Sequence, residues 1–341
     1  MSDRPSVSTR FQRSYGRRAA VTAVQRYLPE NVVTNDEVAT SVDTSDEWIR
    51  ERCGILERRI LKGQPTSHMA TEVAQGIIAQ RGLDPREIDL IIVATITPDM
   101  MFPATACIVQ DRIGAKRAWG FDLSAACTGF IYAVATGAQF IESGVHNKVL
   151  VIGADKMSSI TDEQDRSTCV LFGDGAGAVL LEPTENEGLI DFELHCDGSG
   201  GDDLLMPGGG SLNPASKASV EDRLHYIRQD GKAVYKFAVL KMAEVSNNIL
   251  ERNGFTVDSL ALFVPHQANL RIITATAERM GLSMEKVMVN IDRYANTTAG
   301  TVPIALSEAA EQGRIRPGDL VQLTAVGGGL TWGSALLRWV F

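Results

Sequence analysis

Leu90-Ile91-Ile92-Val93-Ala94 and Leu260-Ala261-Leu262-Phe263-Val264 are two apolar runs 170 residues apart, and the chain reaches each by the same route. A helical segment, Ala70 to Arg81, leads through Gly82-Leu83-Asp84 into the first. Another, Tyr235 to Arg252, leads through Gly254-Phe255-Thr256 into the second. The order then repeats. A helix (Ala104 to Ile113, or Arg271 to Met280) precedes a short strand (Trp119 to Leu123, or Val287 to Ile291). A small-residue turn opens a further helix, and an apolar strand closes the unit (Val149 to Ile152, or Asp319 to Thr324). That spacing is far beyond solenoid periods. It implies an α/β fold made of two similar units, with helices on both faces of largely buried sheets. The ends of matching strands then face each other across a pseudo-two-fold axis. The expected division is a frayed basic tail over 1–18, a first half over 19–197, a connection over 198–230 and a second half over 231–341. The connection, rich in Gly, Ser, Asp and Pro from Asp197 to Gln229, reads as a long surface loop, and loops of that length often carry function.

With 341 residues, 44% of them apolar, the chain can bury a substantial core, which excludes a disordered polymer. A net charge of -9 argues against a nucleic-acid binder, which would present a basic face. The five cysteines include no Cys-x-x-Cys pair, and the five histidines are scattered, so neither a disulfide framework nor a metal centre is expected. A reducing cytoplasm fits. The first eighteen residues carry five arginines against Asp3 but no apolar stretch, so they do not form a secretory signal. Leu123 to Ile141 is uncharged, yet it holds Ser124, Thr128, Thr136, Gln139 and two glycines. It reads as a buried helix rather than a bilayer span.

The strongest chemical signal is Asp122-Leu123-Ser124-Ala125-Ala126-Cys127-Thr128-Gly129-Phe130. Cys127 sits in a turn between a strand and the opening of that helix. Free amides and the positive helix end there favour a thiolate and can hold an acyl oxygen. Taken alone, Cys127 fits a nucleophile and a small buried hydrophobe equally well. Cys53, Cys107, Cys169 and Cys196 lack this setting and read as structural. His266, in Val264-Pro265-His266-Gln267-Ala268-Asn269, lies just past a strand end, where α/β sheets build clefts. Asn296 lies in Tyr294-Ala295-Asn296-Thr297-Thr298-Ala299-Gly300, the repeat's counterpart of the cysteine turn; alone it would be a helix cap. The repeat brings all three to one axis, as a nucleophile with two groups able to stabilise an oxyanion. Gly327-Gly328-Gly329 lets backbone approach a ligand closely. Gly173-Asp174-Gly175-Ala176-Gly177-Ala178 matches the dinucleotide fingerprint as a string. An apolar strand follows it where a helix should open, so a nucleotide site is not expected.

From Tyr27 to the C-terminus these motifs resemble β-ketoacyl-acyl-carrier-protein synthase III, the initiating condensing enzyme of type II fatty-acid synthesis. Thr44-Ser45-Asp46-Glu47-Trp48-Ile49, Phe172 to Gly177, His266 to Asn269 and Gly327 to Gly333 carry the resemblance together with Cys127 and Asn296. It implies the thiolase-like duplicated fold, five layers in the order αβαβα with two pseudo-symmetric halves, and a cytoplasmic homodimer. It implies that Cys127 takes an acyl group from an acyl-coenzyme A, with the amides of Cys127 and Gly328 as oxyanion hole. His266 and Asn296 would stabilise the enolate left when malonyl-acyl carrier protein loses carbon dioxide. Coenzyme A enters as a thioester substrate; no cofactor, membrane insertion or nucleic acid is implied.

The resemblance further places Trp48 and Arg166 on the adenine of coenzyme A, and Arg52, Asn269 and Arg271 along its phosphate and pantetheine arm. Phe102 would close the partner subunit's acyl pocket. Lys236, Arg271 and Arg279 would dock the acidic carrier protein, although Glu278-Arg279 stands where the family often has paired lysines. Val326 replaces an aromatic common before the glycine triplet. A starter-unit condensing enzyme of a secondary pathway would keep the same triad. A thiolase would need a second cysteine late in the chain, where this chain has none after Cys196, and a non-catalytic partner subunit would have lost the nucleophile.

Overall fold

The computed structural model describes residues 16–341. Most of the expected tail (1–15) lies outside them, and its boundary at 18 moves, because Arg18 is the first residue of strand β1 (Arg18–Tyr27). Four further strands complete the first sheet: β2 (Leu90–Ala94), β3 (Trp119–Leu123), β4 (Val149–Lys156) and β5 (Asp174–Thr184). Their spatial order is β1-β5-β4-β2-β3. The second sheet contains β6 (Leu189–Cys196), β7 (Leu262–Pro265), β8 (Leu320–Gly327) and β9 (Thr331–Arg338), in the order β6-β9-β8-β7.

The two sheets share one pattern. β1 runs antiparallel to β5, β5 to β4, and β4 is parallel to β2. Correspondingly, β6 is antiparallel to β9, β9 to β8, and β8 is parallel to β7. The expected strand at Val287 to Ile291 is reduced to one parallel bridge, Phe263 to Val287, at the place equivalent to β3. Ile291 instead starts a helical turn, Ile291–Tyr294. The border between the halves also moves. β6 is the outer strand of the second sheet, so that unit begins at Leu189 rather than after the connection. Its half-exposed residues at an edge carry no continuous apolar run.

Among the described residues seven longer helices supply the layers: α1 (Asp46–Cys53), α2 (Thr66–Arg81), α3 (Thr105–Arg112), α4 (Gly129–Glu142), α5 (Gly231–Arg252), α6 (Leu270–Met280) and α7 (Thr301–Glu311). α2 and α3 cover the outer face of the first sheet, and α5 with α6 that of the second; α4 and α7 touch both sheets and fill the space between. The five layers follow. The uncharged Leu123 to Ile141 stretch is explained here, because Phe130, Ile131, Val134 and Ile141 of α4 lie in the central core with Val302 and Leu306 of α7. Among the described residues no helix is long and apolar enough to cross a membrane. Strands sandwiched on both faces read as unbroken apolar runs, as all of Leu90–Ala94 does.

The glycine string on β5 has a packing origin. Residues two apart on a strand share a face, and Gly173, Gly175 and Gly177 present the bare face on which α7 and the Asn296 turn rest. A Cβ at Gly177 would stand 2.7 Å from the Ile304 amide, and one at Gly173 2.7 Å from the Tyr294 carbonyl. On β4, a Cβ at Gly153 would stand 2.2 Å from the Ala299 carbonyl oxygen. Gly153→Ala should therefore cost about 1–3 kcal/mol of stability by overpacking, whereas Gly198→Ala, with open space around it, should stay within about 0.5 kcal/mol. Denaturant midpoints of the two variants test this; equal effects would contradict the close approach.

Candidate active site

The two equivalent turns are built alike. In the first half a single 3-10 turn, Ala126–Thr128, precedes α4; in the second, Thr298–Gly300 precedes α7. The first residue of each turn takes a left-handed backbone, with φ of 47° at Ala126 and 55° at Thr298. Non-glycine residues adopt that region at a cost, and it tends to mark functional positions. It turns Cys127 inward, where it is only 6% exposed. β9 clamps this turn: Thr331 Oγ1 donates to the Ala125 carbonyl at 3.2 Å, and Thr128 Oγ1 donates to the Thr331 carbonyl at 3.1 Å. Gly327 lies behind it, where a Cβ would come within 2.8 Å of the Cys127 amide nitrogen.

The expected thiolate is not what the fold provides. Burial pushes the Cys127 thiol up to about 12, and the Asp155 carboxylate adds to the rise. The residue's own amide and the Thr298 hydroxyl act in the opposite direction and do not offset it. The desolvation of a fully enclosed sulfur outweighs the helix end. The imidazole of His266 is likewise buried and held down to about 3, hence neutral. Its Nδ1 lies 2.6 Å from Thr301 Oγ1, which itself donates to the Thr298 carbonyl at 3.0 Å. A hydroxyl has one hydrogen, so both contacts are satisfied only when Nδ1 carries the ring hydrogen. Nε2 is then the ring nitrogen without a hydrogen-bond partner among the described residues.

Asn296 is fixed from both sides. Its amide donates to the Leu171 carbonyl at 3.0 Å and its carbonyl accepts from Gly173 at 3.1 Å. Its side-chain oxygen accepts from the Thr298 amide at 2.9 Å, which leaves the Nδ2 hydrogens as the end without a partner among the described residues. The cap-like bond and the functional reading therefore hold together: the first aims the donor needed by the second.

Cys127, His266 and Asn296 line one cavity of about 830 Å³, together with Gly328. Trp48, Arg52, Arg166, Asn269 and Arg271 line the same cavity. Trp48 is carried by α1, capped by Ser45, and the Arg166 guanidinium lies 4.2 Å from its ring centroid. Asn269 caps α6 through Oδ1 and donates from Nδ2 to the Arg52 carbonyl at 3.2 Å, so it joins α1 to α6. Lys236, Arg271 and Arg279 are exposed, as is Glu278 between them in sequence, but only Arg271 reaches the cavity. Phe102, 84% exposed, stands outside it.

Several contributors were not singled out from the sequence. Thr298, Thr301, Asp155 and Lys232 are polar residues without a motif. The connection between the halves is more than a surface loop: Leu204–Leu205 pairs with Arg228–Gln229, and Leu204, Met206, Ile227 and Gln229 form a wall of the cavity. The five cysteines are free, and among the described residues no cluster of metal-ligating side chains occurs.

Family models of 3-oxoacyl-[acyl-carrier-protein] synthase III match residues 121–198, and those of its C-terminal part match 250–339. A β-ketoacyl-[acyl-carrier-protein] synthase III of Chlorobaculum tepidum is 57% identical over 94% of this chain and 99% of its own length. One from Solibacter usitatus is 54% identical over 95% and 99%. The crystal structure of the Aquifex aeolicus synthase III is 46% identical, covers 94% of this chain and 100% of its own, and superposes with a TM-score of 0.88. The priming β-ketosynthase of the R1128 polyketide pathway has a similar shape, TM-score 0.89 over 94% and 96%, at 34% identity. With a duplicated sheet pair enclosing the thiol, imidazole and carboxamide, and relatives this similar along nearly its whole length, the chain belongs to the 3-oxoacyl-[acyl-carrier-protein] synthase III family.

Proposed function

We propose that the chain joins an acyl-coenzyme A primer, acetyl-coenzyme A in the first instance, to malonyl-acyl carrier protein by decarboxylating Claisen condensation, giving a 3-oxoacyl-acyl carrier protein. The observation that carries this reading is the convergence of Cys127, His266 and Asn296 on one cavity. The higher identity to fatty-acid enzymes than to the polyketide priming enzyme favours the primary pathway over the secondary one.

In the first half-reaction the Cys127 sulfur attacks the thioester carbon as its proton passes to His266 Nε2, the ring nitrogen left free. The oxyanion meets the amides of Cys127 and Gly328. The intermediate collapses to acyl-cysteine, and the departing coenzyme A sulfur takes the proton back. A neutral thiol and imidazole suit this exchange, since neither charge must be desolvated before substrate arrives. In the second, malonyl thioester loses carbon dioxide and the resulting enolate oxygen is held by Asn296 Nδ2–H and by neutral His266 in its other tautomer, with the ring hydrogen on Nε2 and the Thr301 hydroxyl turned to donate to Nδ1. The carbanion attacks the acyl-cysteine carbonyl; the sulfur leaves and takes up one proton from solvent. These steps use side chains and thioesters alone, with coenzyme A as substrate.

Trp48 and Arg166 form the adenine clamp in this reading. Their direct contact means the guanidinium must lift for adenine to enter. Arg52, Asn269 and Arg271 follow the phosphate and pantetheine arm, and Lys236, Arg271 and Arg279 receive the acidic carrier. A homodimer fits the open outer edge of β3, which carries half-exposed Trp119, and the exposed Met101 and Phe102 beside it. Phe102 would then complete the other subunit's pocket. Free, unpaired thiols suit the cytoplasm.

Incubation with acetyl-coenzyme A should add one acetyl mass to the wild type and none to Cys127→Ala; equal labelling of both would overturn the nucleophile assignment. Trp48→Ala should raise KM for the primer about 5- to 30-fold, equivalent to the loss of about 1–2 kcal/mol of stacking, with kcat little changed. An unchanged KM would remove Trp48 from the coenzyme A site.

A further inference from the structure

Asp155 is a carboxylate with no exposure, at the end of β4, and the condensation steps above do not use it. Its partners among the described residues are all neutral donors. Oδ1 accepts from the Ile96 amide at 2.8 Å, from the Thr95 and Thr97 hydroxyls at 3.0 Å each, and from the Thr97 amide at 3.2 Å. Oδ2 accepts from the Ala299 amide at 3.1 Å. One oxygen thus holds the segment that follows β2, and the other holds the turn that carries Asn296.

The identity of that last donor is informative. Both turns begin with a left-handed residue, Ala126 in one and Thr298 in the other. Cys127 and Ala299 follow them and are equivalent by the repeat. The Cys127 amide is the one assigned to the oxyanion hole. The Ala299 amide is its copy in the rear half, and a protein carboxylate occupies it. Thr298, between Asn296 and Ala299, donates its amide to the Asn296 side chain, and its carbonyl accepts from Thr301, the partner of His266. Whatever holds Ala299 therefore holds the frame of both enolate donors. Asp155 achieves this at some expense: burial raises its carboxyl to about 6, so an ionised form at neutral pH has no cation to compensate it.

We propose that Asp155 is a positioning residue for the condensation half-reaction: it fills the rear half's copy of the oxyanion hole and so fixes the Asn296 turn against the end of the first sheet. This rests on the condensing reading of the site. The carboxylate does not touch substrate; it acts through Ala299, Thr298 and Asn296.

Asp155→Asn separates the two links. The carboxamide oxygen can keep the four donors now on Oδ1, which turns its NH2 group toward the Ala299 N–H, donor against donor. Asp155→Ser removes the buried charge and is too short to reach Ala299, which gives a second variant if the first does not fold. Each is measured for acetylation of Cys127 by acetyl-coenzyme A, for condensation with malonyl-acyl carrier protein, and for its thermal midpoint. We expect acetylation to keep at least about a third of the wild-type rate, or to quicken, because removing the carboxylate takes away its share of the rise at the Cys127 thiol. Condensation kcat should fall about 30- to 100-fold, the size of losing an aligned donor, with KM for the malonyl carrier within about three-fold. Condensation kept within about three-fold, both half-reactions falling by the same factor, or failure of both variants to fold would overturn the assignment, the last two marking Asp155 as merely structural. Wild-type protein that does not acetylate would instead overturn the condensing reading itself, and the proposal with it.

Discussion

The site depends on how closely the second half's turn can approach the first half's sheet. At Gly153 the Ala299 carbonyl occupies the place of a side chain, and along Gly173, Gly175 and Gly177 the backbone of the Asn296 turn and α7 lies on bare strand. Dispersion and hydrogen bonding reward such contact only when no Cβ intervenes. With it, Asn296 pairs its backbone with Leu171 and Gly173 of the first half, although the segment leading to it bridges the other sheet at Val287. The catalytic groups are thus positioned by main chain packed on main chain, which has few rotamers to lose.

The same close packing removes water, and desolvation sets the protonation states. A thiol pushed up and an imidazole pushed down form a neutral pair. That differs from an ion pair formed in advance between thiolate and imidazolium, which this enclosed cavity would solvate poorly. Activation must come with substrate, when a developing oxyanion gains the donors already aimed at it. Thr301 contributes by selecting the tautomer that leaves Nε2 available.

Much of this was legible in the chain, for identifiable reasons. Strands buried on both faces, such as Leu90–Ala94, must be continuously apolar, so they announce themselves. Their recurrence after matching helices and glycine caps revealed the duplication, and Cys127 and Asn296 stood out because they occupy equivalent turns. Other features lacked a periodic signature. Leu189–Cys196 is an edge strand with mixed exposure, so nothing in its pattern ties it to the second sheet, which it borders. Val287 makes one bridge where a strand was expected. The glycine string leads into a strand, as its sequence context implies, but its role as a packing face needed the partner residues in view. Thr301 and Asp155 are single polar residues whose meaning lies entirely in what faces them, and the thiol's state depended on a burial that no motif encodes.

The central claim is that the nucleophile rests as a desolvated neutral thiol beside a neutral imidazole. The rate of Cys127 alkylation by iodoacetamide as a function of pH, followed by peptide mass with Cys53, Cys107, Cys169 and Cys196 as internal references, tests it directly. The account predicts slow reaction at neutral pH and a rate still climbing past pH 9, without a plateau, because a thiol pushed to about 12 stays protonated throughout that range. A rate that levels off near or below neutral pH would mean a preformed thiolate and would contradict it.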